Sequence, residues 1–122
     1  MKRILHLDDD EEIIAIIQYI LGKKYTLFST TDPEGAEESL GHFRPDLVLT
    51  EHFTEFLQAD GRLQQYARSS GVPVILFSAI PEVSGYAEKF GLNGFIEKPA
   101  GIEYIREYVN RMLSGLVKPQ HV

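Results

Sequence analysis

The chain has 122 residues, 43% of them hydrophobic and 25% charged, which fits one globular domain and excludes disorder as its main state. Twelve basic residues against eighteen acidic ones give a net charge of −6, and no basic run is present, so a nucleic-acid-binding face is excluded. The absence of cysteine removes disulfides, thiolate metal sites and cysteine nucleophiles, while no apolar run reaches the ~18 to 20 residues of a membrane span.

Along the chain, short apolar runs alternate with helical periodicity. Arg3-Ile4-Leu5-His6-Leu7 reads as a strand stopped by a block of acids. From Glu12, Ile13, Ile14, Ile16, Ile17, Ile20 and Leu21 form one wide helical stripe, with Asp9 or Asp10 as cap and Gly22 as its end. Tyr25 to Ser29 is a second strand, and Asp32-Pro33-Glu34 opens a helix to about Gly41 with Ala36 and Leu40 inward. Asp46 to Thr50 is a third strand, with three successive apolar residues as expected where both sheet faces are covered. A weakly amphipathic helix at about 60–69 leads to a fourth strand, Val72 to Phe77. Val83, Tyr86, Ala87 and Phe90 mark the next helix, and Gly94 to Glu97 a short fifth strand. Ile102, Ile105, Val109, Met112 and Leu113 mark the last helix. Five repeats of strand then helix predict an α/β fold, a parallel sheet doubly wound by helices on both faces. Residues 1–115 form the domain and 116–122 a C-terminal tail.

Ligands of open parallel sheets bind beyond the carboxyl ends of the strands. The first strand is followed there by Asp8 to Glu12, the third by Glu51 and His52, the fourth by Ser78 and Ala79, and the fifth by Lys98 and Pro99. Clustered carboxylates need a cation or a lysine among them, and hard oxygen ligands suit Mg²⁺. A Mg²⁺ beside a lysine and a hydroxyl binds phosphoryl groups. Taken singly, these residues have plainer roles: Asp10, Glu11 and Glu12 as cap and dipole compensation, Ser78 as a loop cap, Lys98 as a surface lysine.

Together they resemble the receiver domain of bacterial response regulators in two-component signalling, over Lys2 to about Leu113. The resemblance rests on Lys2-Arg3-Ile4-Leu5-His6-Leu7-Asp8-Asp9-Asp10, Arg44-Pro45-Asp46-Leu47-Val48-Leu49-Thr50, Val74-Ile75-Leu76-Phe77-Ser78-Ala79 and Gly94-Phe95-Ile96-Glu97-Lys98-Pro99. It implies a flavodoxin-like sheet of order 2-1-3-4-5 with five helices. It also implies an acidic pocket at Asp8 and Asp9, phosphoryl contacts from Ser78 and Lys98, and an aromatic switch at Phe95. Where the family carries its phosphoacceptor aspartate, this chain has Glu51, whose carboxylate lies ~1.5 Å further out, about one C–C bond. The Met-Pro pair usual after the acceptor is absent, and Asp60-Gly61 comes two residues later than the pattern has it.

The resemblance leaves two arrangements open. Either Asp8, Asp9 and Glu51 hold Mg²⁺ with the Phe53 backbone carbonyl, or Glu51 reaches Lys98 directly. It implies a cytoplasmic, single-domain, non-enzymatic signalling protein of atypical kind, signalling without ordinary aspartyl phosphorylation. Its partner would be a histidine kinase or a downstream signalling protein, with no DNA-binding domain on the chain, no nucleic acid and no membrane. Docking in the family often uses the fourth helix, fifth strand and fifth helix, near which Tyr86, Tyr104 and Tyr108 fall. Two other readings are an ordinary phosphorylatable receiver and a Mg²⁺-dependent phosphatase of the haloacid dehalogenase type. The second has the Asp-x-Asp at Asp8 to Asp10 but Glu12 where it expects Thr or Val.

Overall fold

The structure, a computed structural model, describes residues 1–115, so the expected tail at 116–122 lies outside the described residues. Five strands, β1 (Arg3–Leu7), β2 (Thr26–Thr30), β3 (Leu47–Thr50), β4 (Val74–Ser78) and β5 (Gly94–Glu97), form one parallel sheet of order β2-β1-β3-β4-β5. The crossovers carry α1 (Glu11–Leu21), α2 (Pro33–His42), α4 (Arg62–Ser70) and α5 (Val83–Lys89), and α6 (Ile102–Ser114) follows β5. A further one-turn helix, α3 (Thr54–Leu57), precedes α4 in the same crossover. Fold class, strand order and the five main helices thus agree with expectation. The extra turn has no periodic pattern to announce it, since a single turn carries only Phe56 and Leu57 inward.

Alternation along the strands divides the core in two. Ile4, Leu47, Leu49, Ile75, Phe77 and Ile96 face α1 and α6 and meet Ile17, Ile20, Ile105 and Val109. Leu5, Leu7, Val48, Val74 and Leu76 face the other helices and meet Leu40, Phe56, Leu63, Val83 and Ala87. Each fully buried leucine or isoleucine contributes roughly 1.5–3 kcal/mol by leaving water. The stripes predicted for α1 and α6 are wider than what the sheet covers: Ile16 and Ile102 are 49% and 44% exposed. A helix lying on a sheet buries one side only, which here takes Ile17, Ile20 and Leu21 from α1.

Local signals set the helix ends as expected. The Asp10 carboxylate accepts the Glu12 N–H and starts α1, and Asp32 accepts the N–H groups of Glu34 and Gly35 with Pro33 in the first turn of α2. β4 begins at Val74 rather than Val72 because Pro73 has no N–H to give. Its carbonyl alone joins the ladder, accepting from Val48 N–H at 3.0 Å. β1 lies between β2 and β3, so the strand order reverses there and opens a crevice at the carboxyl ends of β1 and β3.

Candidate functional site

Two backbone hydrogen bonds extend the ladder past the strand ends and fix the crevice. Asp8 N–H donates to the Thr30 carbonyl at 3.1 Å, and Glu51 N–H donates to the Leu7 carbonyl at 2.8 Å. Asp8 and Glu51 therefore leave neighbouring strands side by side. Lys98 arrives from β5, its N–H donating to the Ser78 carbonyl at 2.9 Å. Its ammonium lies 5.0 Å from the Phe77 ring centroid, within cation–π range.

These three residues close on one another. Lys98 Nζ is 2.6 Å from Asp8 Oδ2 and 3.3 Å from Glu51 Oε1. The remaining oxygens are also engaged: Asp8 Oδ1 accepts the Asp10 N–H at 2.9 Å, and Glu51 Oε2 accepts the His52 N–H at 2.7 Å. Asp8 is fully buried, and burial pushes its carboxyl above the usual range against the opposing pull of the Lys98 hydrogen bond. One ammonium thus serves two carboxylates, and all four carboxylate oxygens have a donor.

The other expected residues fall around this triad. Asp9 is exposed and lines an open acidic depression with Asp10, Glu11, Glu12 and Thr31. Ser78 is fully buried at the end of β4, and its hydroxyl accepts the Ile80 N–H at 3.2 Å. Phe95 is half-buried and packs on the α2–α5 side of the core. Tyr104 is 54% exposed and Tyr86 half-buried, whereas Tyr108 is a core residue. The Tyr108 hydroxyl accepts the Phe95 N–H at 3.2 Å, and its phenol is pushed up to about 12 by burial.

The expected Mg²⁺ ligands Asp8, Asp9, Glu51 and the Phe53 carbonyl offer hard oxygen donors of the kind that ion takes. Among the described residues no three carboxylate or imidazole groups gather for a metal. Asp8 and Glu51 each accept from Lys98 and from one backbone amide. The Phe53 carbonyl accepts from Phe56 and Leu57 N–H at 3.1 and 3.0 Å as the first acceptor of α3. Of the two arrangements left open by the sequence, the direct contact of Glu51 with Lys98 is the one present.

Two histidines lie near the crevice, of which only His52 is expected at that edge from the sequence. His6, fully buried on β1, places Nδ1 3.3 Å from the Ser29 hydroxyl and leaves Nε2 without a partner. Burial, and secondarily the charge of Lys98, lower it to about 3, so it is neutral in the fold. His52 comes directly after Glu51 and packs its ring against Tyr86 and Phe90 of the α5 segment. A histidine within the apolar run Ile4-Leu5-His6-Leu7 is the one available sign for His6. The place of His52 after β3 is legible, but its packing has no local sign, because its neighbours come from a distant helix.

No family model matches the chain. Among curated proteins it is 26% identical to "Probable transcriptional regulator ycf27" of Porphyridium aerugineum, over 96% of this chain and 50% of that protein. The chain therefore spans about half the length of the curated relative it matches. Among solved structures, the chemotaxis response regulator CheY4 of Vibrio cholerae superposes with a TM-score of 0.77 at 21% identity, covering 92% of this chain and 98% of that one. A CheY-like response regulator receiver domain protein of Methanospirillum hungatei gives 0.77 at 20% identity, covering 95% and 96%. A two-component response regulator of Clostridium difficile gives 0.77 at 19%, covering 93% and 97%. With the order β2-β1-β3-β4-β5 and the crevice of Asp8, Glu51 and Lys98, the fold of this chain is that of the response regulator receiver domain.

Proposed function

We propose that the chain is an atypical receiver domain of two-component or phosphorelay signalling, in which Glu51 stands at the phosphoacceptor position. It works by docking onto a histidine kinase or a downstream signalling protein, without aspartyl phosphorylation and without catalysis of its own. The observation that carries this reading is the double engagement of the Glu51 carboxylate, by Lys98 Nζ at 3.3 Å and by the His52 amide at 2.7 Å. A phosphoacceptor needs a free carboxylate oxygen aimed at the incoming phosphorus, since phosphoryl transfer depends chiefly on positioning and charge stabilisation. Here each oxygen already accepts one hydrogen bond. Lys98 supplies at the crevice the positive charge that a divalent ion would otherwise bring. Ser78, beside Lys98 at the end of β4, completes the set of groups that would face a phosphoryl group, and Phe95 takes the switch position on β5.

Incubation with acetyl phosphate and Mg²⁺, read by intact mass, tests the reading beside a Glu51→Asp variant. The expected result is no gain for the wild type and one phosphoryl group for Glu51→Asp, whose carboxylate is drawn back by ~1.5 Å and released from Lys98. Stoichiometric modification of the wild type, lost in Glu51→Gln, would establish an ordinary phosphorylatable receiver instead.

A further inference from the structure

His52 directly follows the glutamate of the crevice, and its imidazole is turned onto α5. Its ring centroid lies 4.8 Å from that of Tyr86 and 5.9 Å from that of Phe90, tilted by 57° and 51°. Its Nε2 is buried and has no hydrogen-bond partner. Buried polar atoms are nearly always paired, and an apolar ring would pack there without leaving a nitrogen unsatisfied. The position is thus not the one that stability alone would choose.

Each end of the His52 residue is tied to a different element. On the crevice side its N–H donates to Glu51 Oε2 at 2.7 Å, which ties this peptide to the carboxylate. On the helix side the ring meets two residues one turn apart, with the Lys89 ammonium 5.7 and 5.6 Å from their ring centroids. A parallel strap runs from Gln64 Nε2, which donates to the Leu57 carbonyl at 3.2 Å and to the Phe90 carbonyl at 2.8 Å.

The helix receiving this contact is short. α5 has seven residues, buries only Val83 and Ala87, and has no side-chain cap. It starts after Glu82, a non-glycine residue with φ of 59°, a left-handed conformation that is strained for such a side chain.

We propose that the His52 ring is the link that carries the state of the Glu51 carboxylate to α5. A change of charge or length at Glu51 displaces the His52 peptide, the ring moves with it, and α5 shifts through Tyr86 and Phe90. The inference rests on the reading of Glu51 as the residue that sets the state of the crevice. It makes His52 a positioning residue for the surface that α5 presents to a partner.

A double-mutant cycle monitored by amide NMR shifts tests this. Glu51→Gln in the wild-type chain is expected to shift the amides of residues 83–90. In a His52→Ala background the same change is expected to leave those amides within the scatter seen on α1, while His52→Phe, which keeps a ring against Tyr86 and Phe90, retains the response. Should His52→Ala not fold, Tyr86→Leu interrupts the same contact from the α5 side. An undiminished α5 response in His52→Ala, no α5 response in the wild type, or a lost response in His52→Phe would each overturn the proposal. Phosphorylation of the wild type by acetyl phosphate would overturn the proposed function while leaving this readout intact, because the cycle measures only how α5 responds to Glu51→Gln.

Discussion

Replacing Lys98 by methionine keeps most of the side-chain volume and removes the one charge shared by Asp8 and Glu51. The Asp8 side chain is 1% exposed and that of Glu51 19%, so the two carboxylates respond differently. Glu51 can turn toward water, but Asp8 is left as a buried anion. Breaking a buried pair from one side costs about 3–5 kcal/mol. Proton uptake sets a ceiling on that cost, because an Asp8 that cannot stay charged takes a proton. From its ordinary value of 3.8, holding the carboxyl neutral at pH 7 costs about 4 kcal/mol, and at pH 5 about 1.5 kcal/mol. Because burial raises the carboxyl, the folded variant binds a proton that the unfolded chain has released, and its stability falls as pH rises. Lys98→Met is therefore expected to lose about 3–4 kcal/mol at pH 7 and about 1.5 kcal/mol at pH 5 relative to wild type. Urea unfolding monitored by far-ultraviolet circular dichroism measures it, since the chain has no tryptophan. Asp8→Asn in the same background is expected to recover much of the loss at pH 7. A deficit below about 1 kcal/mol, the range of an exposed ion pair, or one equal at both pH values, would refute the picture of a buried carboxylate held by Lys98.

His6 titrates in the opposite sense. Its imidazole is lowered from 6.5 to about 3 in the fold, so the unfolded chain binds a proton that the folded one refuses. Stability is lost as pH falls below about 6.5 and continues to be lost down to about 3. Between pH 7 and pH 5 this amounts to about 2 kcal/mol, which His6→Leu is expected to abolish. Equal pH slopes for wild type and variant in urea unfolding would contradict it. At the start of α2, Asp32→Ala removes the acceptor of two amide hydrogen bonds and is expected to cost about 1 kcal/mol. That appears as a lower urea midpoint at unchanged slope.

The legibility of each feature in the sequence depends on how local its cause is. The strand runs and the caps at Asp10, Asp32 and Gly22 act over a few residues, and the sequence shows them directly. The approach of Asp8, Glu51 and Lys98 can also be inferred, because parallel strands deliver the residues beyond their carboxyl ends to one edge. Which donor each oxygen takes cannot. It depends on ångström placement of side chains from β1, β3 and β5. The exposure of Ile16 and Ile102 is illegible for another reason. Periodicity gives the direction of an apolar stripe, but how much of it is covered depends on the neighbouring layer. The packing of His52 has no local pattern at all, since Tyr86 and Phe90 stand more than thirty residues further on.

The charge count in the crevice bears on what state Glu51 represents. Asp8 and Glu51 against Lys98 leave about one negative charge, counting formal charges alone. A phosphoryl group on an acceptor would bring roughly −1.5 to −2 into the same space, with a single ammonium to receive it. On the proposed reading Glu51 gives Lys98 a weaker version of that load, −1 from a carboxylate placed one methylene closer than an aspartate would be. Lys98 is then already drawn to the β3 end of the crevice, and the partner-facing elements are set by a covalent feature of the chain rather than by a reversible modification. Glu51→Gln, which keeps the length and removes the charge, separates the two contributions. If charge alone sets the state, Glu51→Gln will alter the α5 amides and Glu51→Asp will resemble the wild type. If length alone sets it, Glu51→Gln will resemble the wild type and only the aspartate will differ.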